Sequence, residues 1–435
     1  MGSEMCIRDR SQTDIPLHPL RHSVLEEVHA RPFELVKAPM VILKYVFWKT
    51  EGIDARTVLA AWCQSRDLTE PSKEARRASW FDGNTQLIWE EHTEFMSLSW
   101  FGHPDELSET DPFSVFAGTP PVLGELINAL RIDVRKFGAT QNNEPDSISQ
   151  LHFGDFDPNS LCVSTCSNKT ALIATDFRQD KFGLSRFLII DMDMRANNCG
   201  ALVRRIGEIE TYRAVAVLGL PEAQRAGPIL SKLEQSLEKT FVELNTVKTT
   251  DENQRIMNRL YRIAMDLETL TIDSKYRFAA SRAYFGIVEQ RLEAVNEEPH
   301  MDYTTFKTFL LRRIMPAIQT CDAIERRQRS LEEKIMNASD LLRTQVDLDV
   351  QVQNQGLLKA LNERSKQQYQ LQQTVEGLSV VAITYYAVSL LAYIYKGVIL
   401  PFDLSPKTMV AFSVPVVIII VWIAMRYIKN LHNKY

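Results

Sequence analysis

Several familiar catalytic and cofactor-binding motifs are missing from the sequence. It contains no phosphate-binding loop, no nucleophile elbow, no paired-cysteine zinc motif and no dinucleotide-binding fingerprint. Its six cysteines are scattered, and the pair Cys162 and Cys166 is followed by no second pair or histidine at zinc-ligand spacing. The missing motifs argue against an enzyme. The scattered cysteines favour reduced, partly buried thiols.

A strong excess of charge is also lacking. The 50 lysines and arginines are nearly balanced by 55 acidic residues, which gives a formal net charge of -5 at pH 7. Nucleic-acid-binding proteins usually carry a marked basic excess, so we expect no nucleic-acid partner. Hydrophobic residues make up 45% of the chain and charged residues 24%, a balance typical of a sequence that folds.

The N-terminal residues contain no apolar run. Glu4, Arg8, Arg10 and Asp14 interrupt residues 1–14, so a secretory signal peptide is not expected there. The stretch MCIRDR resembles translated sequencing adaptor. We therefore interpret residues 1–14 as a sequencing artefact without functional content.

Two uncharged runs stand near the C-terminus. Glu376 and Lys396 bracket 19 residues, and Lys407 and Arg426 bracket 18, each close to the length that crosses a hydrocarbon core as a helix. The sequence between them contains Pro401 and is too short for a domain. These features predict a transmembrane hairpin of two helices over residues 377–428.

Basic residues predict the orientation of this hairpin. Six of them flank its two outer ends, whereas the loop between the spans has two, Lys396 and Lys407. The outer six are Lys359, Arg364, Lys366, Arg426, Lys429 and Lys434. The positive-inside rule therefore places both chain termini in the cytoplasm, including a basic tail at residues 429–435.

Residues 15–196 show the pattern of a cytoplasmic α/β domain. A strand is predicted over residues 40–48, a helix over 55–64, and a hairpin around Asp82-Gly83-Asn84. Further strands are predicted at LCVSTCS, KTALIATDF and RFLIIDMD. Together with the helices that follow, this predicts an α+β fold.

Residues 197–376 are predicted to form a helical bundle and a stalk. Breaks fall at residues 219–221, 245–250 and 298–299, and Thr249 with Glu252 has the spacing of a capping box. Pro316 is expected in the first turn of one long helix that continues through the first span.

Apolar residues recur every eleven positions along this stalk, as expected for nearly straight helix packing. One row contains Ile324, Ile335, Val346 and Leu357, and a second contains Leu331 and Leu342. The rows predict a coiled-coil-like seam and favour a homo-oligomer. Packing against helices of the same chain is the alternative.

Two charged clusters are candidate sites. Glu27, His29 and Arg31 alternate and could bind an anionic ligand or move a proton, or they could pin the N-terminal segment by ion pairs. Glu90, His92 and Glu94 alternate on a predicted strand, opposite Trp89 and Phe95. They could hold a divalent metal as cofactor, or they could form a solvated sheet face.

A polar stripe runs along the first predicted span. It consists of Ser379, Tyr386, Ser389 and Tyr393. In lipid such a stripe should face protein or water. It is therefore a candidate pore face, with packing against the second span as the alternative.

Motifs throughout the chain resemble those of an uncharacterised family of bacterial membrane-anchored proteins, classed as a domain of unknown function. They are HPLR (18–21), EVHARP (27–32), WEEHTEF (89–95), ATDFRQDKFGLSR (174–186), EIETYR (208–213) and LQQTVEGLSVVAITYYAV (371–388). The resemblance implies a location in the bacterial inner membrane and implies no activity.

The overall layout is also similar to that of CorA-type magnesium channels, in which a cytoplasmic domain and a long stalk precede two spans. That family carries Gly-Met-Asn at the end of the first span, where this chain has Tyr395-Lys396-Gly397-Val398. A lysine at this place would repel cations. Three functions follow as expectations: a self-associating membrane anchor, a channel of this layout, or a membrane-tethered sensor of a ligand or metal.

Overall fold

The computed structural model describes residues 18, 21, 34–116, 120–138, 153, 156–244, 246, 249–397 and 406–432. The chain divides into two units. The first comprises residues 1–245 and 258–336, and the second comprises residues 246–257 and 337–435.

A mixed sheet is the centre of the first unit. Among the described residues it has nine strands: β1 (Met40–Trp48), β2 (Arg77–Asp82), β3 (Thr85–Glu91), β4 (Phe95–Gly102), β5 (Glu125–Lys136), β6 (Cys162–Cys166), β7 (Ala171–Thr175), β8 (Ser185–Asp191) and β9 (Glu298–Pro299). Their order is β2-β3-β4-β1-β5-β8-β7-β6-β9. Only the β5–β8 pair is parallel among these neighbours.

The predicted strands and hairpin are confirmed. Strand β1 has the expected bounds, and Asp82 pairs with Thr85 across a turn in which Gly83 has a φ of 58°. The sheet extends further than expected because the chain turns back at residues 92–94 into β4. That turn contains no glycine, proline or asparagine, so no local turn signal marks it.

Each face of this sheet buries a separate core. Helix α1 (Ala55–Gln64) covers one face, where Leu43, Trp89 and Leu98 are buried with it. Helix α2 (Ala196–Val217) covers the other, where its Leu202 and Ile206 meet strand residues such as Ile132. Alternate residues of one strand therefore belong to different cores, as the two-residue period of a strand requires.

Three further helices follow α2: α3 (Gly219–Leu244), α4 (Thr250–Val295) and α5 (Phe306–Gly397). The breaks predicted at residues 245–250 and 298–299 are confirmed. The first break lies at Leu218, directly before the predicted residues 219–221, which form the first turn of α3. The capping box is confirmed, since the Thr249 amide donates to Glu252 Oε2 at 3.2 Å and the Glu252 amide donates to Thr249 Oγ1 at 3.3 Å. Helix α6 (Pro406–His432) is the last.

Helix α5 is a single helix of 92 residues, but its expected start is wrong. It begins at Phe306, so Pro316 lies inside it rather than in its first turn. The earlier start is explained by packing, because Phe306, Leu310 and Ile314 are buried in the α2-side core. Burial of these side chains offsets the loss of the hydrogen bond that proline cannot donate.

The apolar rows of α5 have two different environments. Ile324, Leu331 and Ile335 are buried within the first unit, and Leu342 is buried within the second. Further along, Val346 is half-buried, and every residue from 347 to 375 is exposed, including Leu357. The alternative of packing within the chain therefore holds for the beginning of the seam.

The described cysteines are buried free thiols: Cys63, Cys162, Cys166, Cys199 and Cys321. Burial raises the pKa of Cys162, Cys166 and Cys199 to about 12, which keeps these thiols protonated. Their burial is more complete than the partial burial that the sequence predicts.

Candidate functional site

A charged cleft lies between α2 and the sheet face that α2 covers. Its polar lining consists of Glu34, Lys44, Arg77, Glu90, Ser99 and Arg204. Its apolar lining consists of Ile42, Ile88, Phe101, Leu130, Ile132 and Val203, and Gly200 and Gly207 complete it. The cavity volume is about 60 Å³. We call this space the α2 cleft.

Strand register places the charged side chains of the α2 cleft. The β2–β3 hairpin sets Arg77 opposite Glu90. Strand β4 sets Ser99 opposite Ile88 on one side, and β1 sets Lys44 opposite the same serine on the other. Side chains at directly opposite positions share a face of the sheet, so the register alone brings a carboxylate and two cations to one side.

Small residues keep the space open. Ser99 contributes little volume in the middle of the sheet face, and a Cβ at Gly207 would already contact the Lys44 stem at 3.7 Å. At Gly200 a Cβ would lie 1.7 Å from the carbonyl oxygen of Glu34, which only glycine permits. Gly200 therefore lets the chain entering β1 cross α2 closely, and this crossing places Glu34 at the cleft.

Ion pairs hold part of this lining. An Arg77 Nη atom pairs with Glu34, and Gln86 Nε2 donates to the other oxygen of Glu34 at 2.8 Å. Arg77 Nε lies 3.7 Å from Glu90 Oε1, which is too long for a hydrogen bond. Glu34 therefore has close partners, whereas the contact of Arg77 with Glu90 is only electrostatic.

Glu90 is held in its ionised form. Burial raises the pKa of its carboxyl, but the basic side chains around it outweigh burial and bring the pKa below its ordinary value. Those side chains are Lys44, His92, Arg204 and Arg77. The cleft thus contains a carboxylate that stays charged although its side chain is only 19% exposed.

A smaller cavity of about 10 Å³ adjoins the α2 cleft and shares Lys44, Glu90 and Arg204 with it. His92 lines this cavity, and its ring stacks on Phe95 with centroids 4.3 Å apart. Glu208 closes it, accepting from Arg204 Nε at 2.9 Å and pairing with Arg291 of α4. Glu208, the first residue of EIETYR, therefore joins α2 to α4.

The expected common face of Glu90, His92 and Glu94 is wrong. Strand β3 ends at Glu91, and Glu94 lies in the turn, where it pairs with Arg277 of α4 at 2.8 Å. Phe95 consequently lies with His92 rather than with Trp89. Within the part of the chain that the structure describes, no group of three or more His, Cys, Asp or Glu side chains is placed to hold a metal ion.

The other expected sites have different outcomes. Glu27, His29 and Arg31 lie outside the described residues. The hydroxyls of Ser379 and Ser389 each donate at 2.8 Å to a carbonyl four residues earlier in α5, whereas Tyr386 and Tyr393 are exposed. The stripe on α5 stays a candidate.

Sequence reasoning missed most of the α2 cleft. Glu34, Lys44, Arg77 and Arg204 were not among the expected site residues. Two signals could have found them: Lys44 is the one charge within the apolar strand MVILKYVFW, and the hairpin turn fixes Arg77 opposite Glu90. The positions of Glu34 and Arg204 depend on how α2 packs on the sheet, which no local pattern encodes.

The structure is that of a mixed α+β protein with an N-terminal sheet and long helices, two of which are long and apolar enough to cross a membrane. The chain belongs to the family described as Protein of unknown function (DUF3422), whose model matches residues 16–432. No curated protein and no solved structure matches it.

Proposed function

We propose that the chain is anchored in the bacterial inner membrane by the end of α5 and by α6, with both termini in the cytoplasm. The observation that carries this proposal is the exposure of the apolar side chains there. Only 6% of the most apolar 18-residue window in each helix is buried. In water this exposed area would be unfavourable by about 25 cal/mol per Å², and a lipid core removes the penalty.

Aromatic and basic neighbours support this assignment. The Lys396 ammonium lies 5.9 Å from the ring centroid of Tyr393, and the Arg426 guanidinium lies 5.0 Å from that of Trp422. Such pairs are typical of the membrane interface, where the ring stays at headgroup depth and the charge reaches water. They stand where each uncharged run ends.

Two measurements test the anchor. Carbonate washing should leave the full chain in the membrane fraction, because it removes peripheral proteins only. A reporter fused after Tyr435 should be active in the cytoplasm, and a tag inserted between Val398 and Ser405 should be labelled from the periplasm. A periplasmic C-terminus would contradict the proposed orientation.

We further propose that the chain self-associates through the exposed part of α5. Val350, Leu357 and Leu361 form an apolar stripe on a stretch in which all side chains are exposed, with Leu357 at 63%. An isolated helix in water is only marginally stable. A second copy that packs on the stripe would bury it and stabilise the helix.

Matched valines on opposite sides of this helix test self-association. Val350 is on the stripe, and Val352, two residues on, points about 200° away. Val350→Asp should lower the mass of the particle in mild detergent, and Val352→Asp should not. Ile324 and Ile335 are unsuitable for this test because both are buried within the first unit. A monomeric wild-type particle would overturn the proposal.

A channel is the second candidate, and the uninterrupted course of α5 favours it. One helix of 92 residues runs from the sheet-bearing unit to the end of the first span. If the oligomer conducts, Ser389→Leu should reduce the flux of Mg²⁺, Co²⁺ or K⁺ into liposomes. Liposomes that contain the wild-type oligomer and pass none of these ions would leave the anchor as the function.

A further inference from the structure

The α2 cleft combines a carboxylate, an ammonium and an apolar wall, and neither Glu90 nor Lys44 has a hydrogen bond to the side chain of another described residue. We propose that it binds a small zwitterion with an aliphatic side chain, which is the chemistry of an aliphatic α-amino acid. The proposal concerns the first unit alone and does not depend on the membrane anchor.

Glu90 would receive the ammonium group of this ligand. No described residue donates a hydrogen bond to its carboxylate, and the nearest cationic atom, Arg77 Nε, is 3.7 Å away. A carboxylate has about four acceptor positions, and leaving them unfilled in a half-buried place is unfavourable. An ammonium group supplies three donors on a compact charge, which fits this vacancy.

Lys44 would receive the carboxylate of the ligand. Its stem crosses the cleft beside Gly207, and no described residue forms a hydrogen bond or close ion pair with its ammonium. Arg77 pairs with Glu34, and Arg204 donates to Glu208 at 2.9 Å. Lys44 is therefore the cation of the lining without a close ion pair to a described residue, so a ligand carboxylate beside it is electrostatically favourable.

The remaining wall requires an apolar group. Ile42, Ile88 and Leu130 stand on the sheet side, and Val203 stands on α2. A cavity of about 60 Å³ accommodates about four to six water molecules, since each needs about 10–15 Å³ of this volume. At about 30 Å³ of liquid volume per water, these molecules occupy about 120–180 Å³. This volume is in the size range of a small aliphatic amino acid and excludes a nucleotide or a peptide from the enclosed part.

Simpler ligands satisfy only part of the lining. An aliphatic carboxylate would find Lys44 but would leave the Glu90 carboxylate without donors and would be repelled by it. An aliphatic amine would find Glu90 but would leave the Lys44 ammonium without an anionic partner and would be repelled by it. The zwitterion satisfies both ends, so binding should need both of its charged groups.

Three probes with the same branched aliphatic chain test this with the full chain of the protein in nanodiscs. L-Leucine carries both groups, 4-methylpentanoate lacks the ammonium, and 3-methylbutylamine lacks the carboxylate. By isothermal titration calorimetry, leucine should bind at least about tenfold more tightly than either, since one hydrogen bond to a charged group is worth about 1.5–3 kcal/mol. Equal affinity for leucine and 4-methylpentanoate, or no binding of leucine, would overturn the proposal.

Variants identify the site. Lys44→Met keeps the apolar stem and should weaken leucine binding at least about tenfold, and Glu90→Gln should abolish the preference for leucine over 4-methylpentanoate. Ser99→Leu should fill the cavity and prevent binding of leucine. Lys49→Met is the matched control, because it makes the same substitution at a lysine that pairs with the β3 carboxylate Glu91 at 2.9 Å and does not line the cleft.

Each outcome with these variants decides the question. If Ser99→Leu fails to fold, as its thermal melt would show, the comparison of Lys44→Met with Lys49→Met still stands. Equal leucine affinity in those two variants would overturn the site. Weaker binding in Lys44→Met alone, with an unchanged melt, would support it.

Discussion

The two units of the chain use similar apolar residues in opposite ways. In the first, Leu43 of β1 is fully buried between neighbouring strands and α1. In the second, Ile419 is 57% exposed, although its helix α6 has the higher mean hydropathy of the two candidate spans, 2.5 against 1.8. Hydrophobic residues in the sheet are covered by their own chain, whereas those of α6 need a covering from outside it.

This difference separates two kinds of sequence signal. Alternation along a strand reports a face that the chain itself will cover, and an uninterrupted apolar run reports a surface suited to lipid. The exposed stripe of α5 is intermediate, because its polar neighbours favour water and its leucines favour a protein partner. If each region has the covering that we assign to it, substitutions in the two units should have different effects.

Removal of the spans should have the largest effect. A chain that ends after Leu358 lacks both apolar helices but keeps the sheet and its helices, so it should move completely from the membrane to the soluble fraction. Fractionation followed by immunoblotting measures this. The soluble fragment should melt cooperatively, and recovery only as aggregate would contradict independent folding of the first unit.

The ion pair between Glu94 and Arg277 should rank second. Both side chains are largely buried, and Arg277 donates to Glu94 Oε1 at 2.8 Å. Arg277→Met leaves a buried carboxylate without its cationic partner and should reduce the free energy of unfolding by about 3–5 kcal/mol. Chemical denaturation followed by tryptophan fluorescence measures this change.

The control for that ion pair is the double variant Glu94→Leu with Arg277→Met. It removes both charges, so the uncompensated carboxylate is absent and much of the stability should return. A double variant as unstable as Arg277→Met would show that packing, rather than charge, explains the loss.

Matched leucine substitutions sharpen the comparison of the two units directly. Leu43→Ala opens a cavity in the α1-side core and should lower the free energy of unfolding by about 2–5 kcal/mol. Leu390→Ala shortens an exposed side chain in the proposed first span. It should change the free energy of unfolding by less than about 0.5 kcal/mol. Similar losses in both variants, measured in nanodiscs, would mean that the span is packed within the chain.

Local patterns were sufficient for much of the fold. The bounds of β1 and α1, the Asp82–Thr85 hairpin and the Thr249 capping box follow from residues close in sequence. The parallel pairing of β5 with β8 does not, because it joins segments that are far apart in the chain. Pro316 shows the same limit. Proline is ordinarily found in the first turn of a helix, but burial of Phe306 and Leu310 makes α5 begin before it.

The candidate site was less predictable than the fold. The alternation of Glu90, His92 and Glu94 suggested a common face, but a turn without the usual turn residues places Glu94 elsewhere. The partners that Glu90 does have come from strand register and helix packing. Lys44 was visible as a charge in an apolar strand, but its function could be inferred only after α2 was placed over it.

The pH dependence of stability should give the smallest effect, through Glu90. The basic side chains around Glu90 keep its pKa below the ordinary value in the folded chain. A group whose pKa is lower when folded stabilises the fold above its unfolded pKa, and that contribution is lost as the pH falls through the folded pKa. Glu90→Gln should therefore be less stable than the wild type at pH 7, and the difference should shrink below about pH 4.

Glu74→Gln provides the comparison for this pH effect, because Glu74 is exposed and the structure gives it no ion pair with a described residue. Its stability should follow that of the wild type across the same pH range. The melting temperatures of the three proteins between pH 3 and pH 8 measure both differences. A Glu90→Gln variant that parallels the wild type at every pH would mean that the cations of the α2 cleft do not stabilise this carboxylate, which would also weaken the case for a ligand ammonium there.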